Sequence, residues 1–246
     1  MKAMVFAAGL GTRLRPLTDD RPKALVTIAG RTLLDIVLAR LRAFGVREVI
    51  VNVHHFADQV VAYLAANQYF GMRIEVSREE VLLDTGGGLK KAAWFFFESG
   101  ADEPFLIHNV DVLSTIDLAR MAWFHSERRA LATVAVESRS TSRPLQFDAE
   151  GRLVRRAPKA EDLSSGGSAQ LETLAFGGIH VVSPRIFAKL EEEGAFSIID
   201  AYVRLAAQGD SILGFRADGA YWRDLGRPDD LIAAERDMES GRYPAK

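Results

Sequence analysis

The amino-acid sequence predicts an α/β protein whose mostly parallel sheet is covered by helices on both faces. Three observations lead to this class. Apolar strand-like runs alternate with segments of helical periodicity, the opening strand is apolar almost throughout, and a glycine-rich turn follows it directly. Parallel strands need crossover connections, which are usually helices, and strands buried on both faces lack polar alternation. A length of 246 residues is enough for one substantial core, so we expect one domain.

The first half of the chain contains the most regular alternation. Its predicted strands are Lys2–Ala7, Glu48–Val53, Arg73–Arg78, Pro104–Asn109 and Leu131–Val136. Thr32 can cap a helix in which apolar residues recur at helical spacing as far as Phe44, and Gly45 suits its end. The other predicted helices are Ala57–Ala66, Gly88–Phe97 and Asp117–Glu127.

The second half begins with a weaker pattern. Residues 138–168 are rich in Ser, Arg, Pro and Gly, which predicts a flexible loop or an irregular hairpin. Regular structure returns with the predicted strands Leu174–Val182, Ser211–Arg216 and Tyr221–Asp224, the helix Ile198–Ala207, and a last helix that opens at Pro228. Without internal repeats, we expect a Rossmann-like single domain over residues 1–246, with no β-helix extension.

Composition limits the class of partner. The net charge of −2 and the pI of about 6.2 provide no basic field that would attract nucleic acid or an anionic membrane. No uncharged apolar stretch approaches the roughly 20 residues that span a bilayer, so we expect a cytoplasmic protein. The absence of cysteine excludes disulfides and thiolate chemistry. Small molecules are therefore the expected partners, and the sequence leaves open whether the chain forms a homodimer.

The most specific motif follows the first strand. It reads Ala7-Ala8-Gly9-Leu10-Gly11-Thr12-Arg13-Leu14-Arg15-Pro16, with Pro22-Lys23 shortly after. Glycines allow backbone N–H groups to approach an anion, and the basic side chains add charge, so the motif predicts phosphate binding. The segment lacks the Gly-Lys-Ser/Thr of a Walker loop, and Leu14 stands where a dinucleotide fingerprint has its third glycine. The alternative is a tight strand-to-helix turn with exposed basic residues.

This motif resembles the N-terminal signature of the sugar-1-phosphate nucleotidyltransferases. The resemblance extends over nearly the whole chain, and it implies that a nucleoside triphosphate (NTP) and a sugar 1-phosphate are the substrates. The segment differs from many family members at Ala24, where they have a second proline. By this resemblance, the residues expected to bind the triphosphate are Ala8, Gly9, Gly11, Thr12, Arg13 and Lys23.

Two carboxylates are the candidate metal ligands. Asp111 follows the fourth predicted strand, at the sheet edge where open α/β folds bind ligands. Its surroundings, Asn109-Val110-Asp111, resemble the family's Asn-Gly-Asp, with Val110 replacing the glycine. Asp224 lies in a segment that resembles the family's Trp-x-Asp-x-Gly, and Mg²⁺ commonly uses one or two carboxylates. The resemblance therefore implies Mg²⁺ on Asp111 and Asp224, with Asn109 near the nucleotide; caps or turns are the alternatives.

Three weaker segments complete the predicted site. Thr85, Gly86 and Gly87 precede a predicted helix, where exposed backbone groups could contact a base, and this segment resembles that of the uridylyltransferases. Gly177 and Gly178 resemble the family segment that meets the sugar, although paired glycines in a strand also indicate a bulge. Lys159 stands near the position of the family's Glu-Lys-Pro lysine, without that element being preserved.

Together these features predict transfer of a nucleoside monophosphate from an NTP, with UTP favoured, to a sugar 1-phosphate. Residues 1–137 would bind the nucleotide and residues 138–246 the sugar phosphate. One alternative is a guanylyltransferase acting on mannose or heptose 1-phosphate. A metal-dependent glycosyltransferase fits less well because Asp111-Val112-Leu113 lacks the Asp-x-Asp pair. A catalytically silent nucleotide-sugar-binding regulator is the alternative from another class.

Overall fold

A computed structural model gives the fold of this protein and describes residues 1–98, 102–157 and 171–243. The strands of the described chain are β1 (Ala3–Phe6), β2 (Thr27–Ile28), β3 (Arg31–Thr32), β4 (Glu48–Val53), β5 (Arg73–Arg78), β6 (Phe105–Asn109), β7 (Val112–Ser114), β8 (Ala132–Glu137), β9 (Leu145–Phe147), β10 (Leu153–Arg156), β11 (Glu172–Val182), β12 (Ile212–Arg216) and β13 (Trp222–Asp224). The α-helices are α1 (Leu33–Ala43), α2 (Ala57–Ala66), α3 (Asp84–Lys91), α4 (Ala93–Phe97), α5 (Leu118–Glu127), α6 (Ile198–Ala207) and α7 (Pro228–Glu239).

Nine strands of the described chain form one mixed sheet. Its parallel part has the order β5-β4-β1-β6, with β1 at the centre between two parallel neighbours. The long strand β11 pairs antiparallel with β6, β8 and β9, and β12 extends the sheet by a parallel pairing with β8. The predicted single-domain, mostly parallel α/β class is confirmed.

Helices bury apolar side chains against both faces of this sheet. Alternate residues of β1 divide between the faces: Ala3 and Val5 join one core with α1, α2, α5 and α7, whereas Met4 and Phe6 join the other with α3, α4 and α6. Every residue of β1 is buried, which is the pattern of a strand covered on both sides. The predicted cap of α1 is also present, because the Thr32 side chain accepts the Asp35 amide at 3.0 Å.

The fold differs from the prediction at several elements. Helix α3 begins at Asp84, four residues before the predicted start at Gly88, so the glycine run lies inside its first turns. Strands β2, β3 and β7 were not predicted, and β7 forms a two-stranded antiparallel ribbon with β13. For residues 138–168, the described part shows the irregular hairpin that was one of the two alternatives, because β9 and β10 pair antiparallel with a register shift; residues 158–168 lie outside the described residues. None of the helices in the described part has the length and apolar character that a membrane crossing requires.

Candidate active site

A cleft opens where β1 and β6 end at their carboxyl edges, which is where open α/β sheets bind ligands. It consists of two adjoining cavities, of about 770 Å³ and 620 Å³. The first is lined mainly by the glycine-rich loop after β1, and the second by residues of β11, β13 and the segment after β8. The residues that line both cavities, and so mark their junction, are Arg13, Asp84, Thr85, Asn109 and Arg143.

The loop after β1 is shaped by close packing at Gly11. This glycine has a φ of 65°, which favours glycine, and a Cβ there would meet the Thr18 Cγ2 at 3.0 Å and the Lys23 Cβ at 3.1 Å. The Thr18 hydroxyl donates to the Gly11 carbonyl at 2.9 Å. Gly11 therefore allows the segment of Lys23 to lie directly beneath the loop. Lys23 is buried and lines the first cavity.

Lys23 and Asp111 form a salt bridge at the floor of the first cavity. Asp111 lies in the turn between β6 and β7, and its backbone carbonyl accepts the Leu225 amide at 2.8 Å. In the ribbon, Asp224 of β13 pairs with Val112 of β7, the residue that follows Asp111. The two predicted metal ligands, 113 positions apart in the chain, are thus brought close by the β7–β13 ribbon.

Asp224 lines the second cavity and lies beside Gly226, which lines the first, and near Arg13, which lines both. A Cβ at Gly226 would lie 2.5 Å from the Asp224 Oδ1 and 2.7 Å from the Arg13 Nη2, so the glycine makes room for both side chains. Burial raises the pKa of Asp224, the charge of Asp111 raises it further, and Lys23 and Arg13 act in the opposite direction. Two carboxylates that lie close together in a partly buried position repel each other, and a bound cation would relieve that repulsion.

The two carboxylates fit a divalent cation whose remaining ligands are waters and the phosphate oxygens of a bound molecule. Two carboxylates together with waters and phosphate oxygens make up a common Mg²⁺ environment. Among the described residues there is no group of three or more His, Asp or Glu that would form a protein-only metal cage. The pair Asp111 and Asp224 therefore suits a metal that arrives with a phosphate ligand rather than one held by the protein alone.

The three glycines of α3 form a packing surface. A Cβ at Gly86 would meet the Phe196 ring at 2.2 Å, and one at Gly87 would meet the Gly194 carbonyl oxygen at 2.2 Å. The Gly86 amide donates to the Phe196 carbonyl at 2.8 Å, so this amide is already occupied. Neither Gly86 nor Gly87 lines a cavity, whereas Thr85 lines both. The Gly86 amide is therefore not free to contact a base, and the assignment of Gly86 and Gly87 to the nucleotide stays a prediction.

Asp84 and Thr85 form the part of this segment that faces the cleft. Asp84 has a φ of 56°, a left-handed conformation that is uncommon for a residue with a side chain, and its Oδ1 accepts the Thr85 amide at 2.6 Å. The Thr85 hydroxyl accepts the amide of Ile198 at 3.0 Å, at the start of α6. Thr85 thus connects the wall of the first cavity with α6 behind it.

Gly177 and Gly178 lie at an irregularity in β11, where the pairing with β8 shifts register between Phe176 and His180. Gly178 has a φ of 75°, and a Cβ there would meet the Asn109 Nδ2 at 3.1 Å. The Asn109 Oδ1 is buried and has no hydrogen-bond partner among the described residues. Gly178 lines the second cavity and Gly177 lines neither. The strand bulge thus brings Asn109, with one unused acceptor, to the junction of the cavities.

The second cavity contains arginines that sequence reasoning did not select. Besides Arg13, they are Arg139, Arg143, Arg156 and Arg227. The Arg139 guanidinium lies 3.6 Å from the centre of the Trp222 ring and donates to the Phe176 carbonyl at 2.7 Å, and the Trp222 Nε1 donates to the Gly177 carbonyl at 2.8 Å. The high density of arginine between positions 139 and 156 was the available signal.

Arg139 is a partly buried cation with an incomplete set of partners. Burial lowers the pKa of Arg139, and its Nε forms no hydrogen bond within the part of the chain that the structure describes. Its nearest acidic group, Glu137, is 3.8 Å away, and burial raises the pKa of that carboxyl to about 7, with Arg139 opposing the shift. A guanidinium held in place by Trp222 but poorly neutralised by protein groups is suited to bind an anionic ligand.

Most of the predicted site residues meet in this cleft. The first cavity is lined by Ala8, Gly9, Gly11, Thr12, Arg13, Lys23, Thr85, Asn109 and Asp111, and the second adds Gly178 and Asp224. Lys159 lies outside the described residues. Ala195, next to the residues that pack on the α3 glycines, and Asn52, at the end of β4, also line the first cavity and were not predicted.

Comparison with known proteins identifies relatives over nearly the whole chain. A family model described as nucleotidyl transferase matches residues 2–241. The chain is 38% identical over 242 residues to N-acetylmuramate alpha-1-phosphate uridylyltransferase of Caulobacter vibrioides, with 95% of each protein covered. It is 30% identical over 247 residues to mannose-1-phosphate guanylyltransferase of Mycobacterium tuberculosis, a match that covers 99% of this chain and 66% of that protein.

Solved structures show the same fold at lower identity. HddC from Yersinia pseudotuberculosis complexed with GMP-PN has a TM-score of 0.74 at 22% identity and covers 96% of this chain and 99% of its own. A UDP-glucose pyrophosphorylase complexed with UDP-glucose has a TM-score of 0.79 at 20% identity, over 98% and 99% of the two chains. Because the family model extends over residues 2–241 and the Caulobacter protein matches almost end to end, this chain belongs to the nucleotidyl transferase family.

Proposed function

We propose that this protein transfers a nucleoside monophosphate from an NTP, preferably UTP, to a sugar 1-phosphate and releases pyrophosphate. The observation that carries the proposal is the meeting of two cavities at Arg13 and Asn109, with the Lys23–Asp111 pair in the first cavity and Asp224 in the second. Volumes of about 770 and 620 Å³ are in the range of small-ligand sites. Two adjoining cavities with charged groups at their junction suit two anionic substrates that react with each other.

The chemistry requires positioning and positive charge rather than a general base. An oxygen of the sugar phosphate attacks the α-phosphorus of the NTP, a new phosphorus–oxygen bond forms, and the bond to the pyrophosphate leaving group breaks. A phosphate monoester has a second pKa near 6, so this nucleophile is mostly ionised at pH 7 without help. Arg13 and Lys23 are proposed to neutralise the phosphates and to hold them in line.

Mg²⁺ is the proposed metal, with Asp111 and Asp224 as its protein ligands. When bound, it would supply additional positive charge at the reacting phosphates. The proposal is supported by the donor type and by the proximity of the two carboxylates, each of which would otherwise face the other's negative charge.

The two cavities are proposed to bind different substrates. Residues 1–137 supply most of the first cavity, which we assign to the nucleotide, with Ala8, Gly9, Gly11 and Thr12 on its phosphates. Residues 138–246 supply most of the second, which we assign to the sugar phosphate. Gly177 and Gly178 would shape that cavity, and the contact of Lys159 with the sugar phosphate stays a prediction.

We place the protein in the cytoplasm, because its proposed substrates are NTPs, and its assembly as monomer or homodimer stays open.

UTP is the proposed nucleotide because the Caulobacter relative, at 38% identity, is a uridylyltransferase and the guanylyltransferase relative is 30% identical. Competition between UTP and GTP, with N-acetylmuramate, glucose or mannose 1-phosphate as acceptor, tests this choice. We expect a preference for UTP of about tenfold or more, since exclusion by pocket size contributes roughly 1–3 kcal/mol. A preference for GTP would instead support the guanylyltransferase alternative on mannose or heptose 1-phosphate.

Pyrophosphate release is the decisive measurement for the activity itself. Purified protein with Mg²⁺, UTP and the panel of sugar 1-phosphates should release pyrophosphate and form one nucleotide sugar per pyrophosphate. A catalytically silent nucleotide-sugar-binding regulator would bind nucleotide sugar without releasing pyrophosphate from any combination. The presence of Arg13, Lys23, Asp111 and Asp224 around one cleft favours the enzyme.

A further inference from the structure

A buried chain of hydrogen bonds lies directly behind the first cavity. The Asn52 Oδ1 accepts the Ala7 amide at 2.8 Å, and the Asn52 Nδ2 donates to the Glu79 Oε1 at 2.7 Å. The second Glu79 oxygen, Oε2, accepts the Leu83 amide at 2.9 Å. Asn52 is 3% exposed and Glu79 is 4% exposed. One asparagine and one glutamate thus connect the end of β1 to the residue that precedes Asp84.

This hydrogen-bond network includes a buried glutamate side chain, which is unusual in a protein interior. Glu79 is a buried carboxylate that forms no salt bridge among the described residues, and such a charge is stable only when hydrogen bonds satisfy it. Gly88 leaves the space that the pair occupies, because a Cβ there would meet the Glu79 Oε1 at 2.7 Å and the Asn52 Nδ2 at 2.9 Å. The third glycine of α3 is therefore explained by this network.

The two ends of this network lie beside two different segments that line the first cavity. Ala7 follows β1 directly and begins the loop that continues through Ala8 and Gly9. Leu83 lies between Leu82 and Asp84, which line the same cavity. The backbone ladder of β1, β4 and β5 reaches only as far as the Glu79 amide, which donates to the Val53 carbonyl at 2.8 Å. Beyond the strand ends, the side chains of Asn52 and Glu79 continue the connection to Leu83.

We propose that Asn52 and Glu79 are positioning residues that set the separation between the phosphate loop and the wall at residues 82–85, and thereby the affinity and base selectivity for NTP. This inference rests on the proposed nucleotide site. Neither residue needs to touch a phosphate to act in this way. Fixing the loop at Ala7 and the segment at Leu83 fixes the width of the space that a base and ribose must fill.

A reciprocal exchange of amide and carboxylate tests the proposal. In Asn52→Asp, two carboxylate oxygens face each other, and in Glu79→Gln one amide N–H faces another donor, so each single variant loses a bond of the chain. In the double variant Asn52→Asp/Glu79→Gln, the order of donors and acceptors is restored: the new carboxylate accepts from Ala7 and from the new amide, whose oxygen accepts from Leu83. The net charge of the double variant equals that of the wild type.

Dissociation constants for UTP and GTP in the presence of Mg²⁺, measured by calorimetry without sugar phosphate, provide the readout, together with the melting temperature. We expect each single variant to weaken UTP binding about fivefold or more and to narrow the UTP-to-GTP ratio, because a buried polar group is left unpaired. The double variant should return to within about twofold of the wild type, although the negative charge at position 52, which lines the cavity, is kept. Asn67→Asp, at the exposed end of α2, controls for added charge.

Two results would overturn the proposal. Single variants that lower the melting temperature but leave both dissociation constants unchanged would show that the pair only holds the fold. A double variant that is as weak as its two single changes combined would show that local charge, not the bond order, is responsible. If a single variant does not fold, a folded double variant still tests the proposal: dissociation constants within about twofold of the wild type support it, and constants about fivefold or more higher contradict it. A wild-type protein that binds no NTP would instead refute the proposed function, on which this inference rests.

Discussion

The two cavities of the cleft are built from different parts of the chain. The first is formed largely by a continuous segment, Ala7–Arg13, in which small residues let the backbone itself line the space. The second is formed by long side chains from separate elements, among them Arg139, Arg156 and Trp222. Backbone groups suit a triphosphate that all nucleotides share, whereas side chains can be exchanged without changing the fold. On the proposed function, we expect the first cavity to bind the part common to all nucleotide substrates and the second to select the sugar.

Substitution of the two candidate metal ligands should have the largest effect on activity. We expect Asp111→Asn and Asp224→Asn each to lower kcat by at least about 10²–10³-fold, because each removes charge at the point where both substrates meet. Steady-state kinetics over a range of Mg²⁺ concentrations, with circular dichroism to show an intact fold, provide the measurement. Asp229→Asn, in the exposed first turn of α7, is the control. If the Asp111 or the Asp224 variant keeps near-normal activity at limiting Mg²⁺, the substituted aspartate is not a metal ligand.

Within the first cavity, Arg13→Ala and Lys23→Ala should lower kcat/KM by about 10²-fold, since each removes a cation from the phosphates. Lys23→Ala also leaves Asp111 without its salt-bridge partner. The matched control is Arg15→Ala, because Arg15 lies two residues from Arg13 but lines neither cavity and pairs with Asp19. Equal effects of the Arg13 and Arg15 changes would contradict the assignment of Arg13 to the site.

The second cavity should affect the sugar phosphate alone. We expect Arg139→Ala to raise KM for the sugar 1-phosphate about tenfold or more, as loss of a charge-assisted contact predicts, while KM for UTP changes less than about twofold. Arg139→Lys should recover little, because a lysine cannot stack flat on Trp222. Arg155→Ala, on β10 and outside both cavities, is the control. A larger change in KM for UTP than for the sugar phosphate would break the proposed division.

The smallest expected effect concerns the acidic neighbour of Arg139. The pKa of Glu137, about 7, lies above its ordinary value of 4.5, so the folded state binds this proton more tightly than the unfolded state does. Its stabilising contribution is therefore complete at low pH and is lost as pH rises from about 4.5 to about 7. Between pH 4 and pH 8, the free energy of unfolding of the wild type should fall relative to Glu137→Gln by on the order of 1–2 kcal/mol.

Urea unfolding at the two pH values measures this difference. Glu150→Gln, on the exposed turn between β9 and β10, should show no such pH-dependent difference from the wild type. If the free energies of unfolding of wild type and Glu137→Gln differ by the same amount at both pH values, burial does not shift the pKa of the Glu137 carboxyl.

Sequence reasoning recovered the first cavity better than the second for a physical reason. A phosphate loop is local, so Gly9, Gly11 and Arg13 could be selected from their spacing after a strand. Arg139 became a candidate only when β11 and β13 brought Phe176 and Trp222 against it, and long-range packing of that kind leaves little trace in local pattern.

The glycines of α3 illustrate the same limit within the first cavity. Three consecutive glycines favour a loop by propensity, and we expected the helix to begin only at the last of them. Close contacts with Gly194, Phe196 and Glu79 override that propensity, since a residue with a side chain would not fit there. The residues that do face the cleft are Asp84 and Thr85, at the helix start.

The β7–β13 ribbon has a consequence for how the protein is made. Asp111 and Asp224 are separated by nearly half of the chain, and the ribbon that joins their neighbours can pair only after β13 has left the ribosome. Contacts of such large sequence separation form late, because the intervening chain must first be ordered. A nascent chain can therefore complete the loop after β1 early and still lack one of the two candidate metal ligands. On the proposed function, a chain that has not yet paired β13 with β7 should consume no NTP.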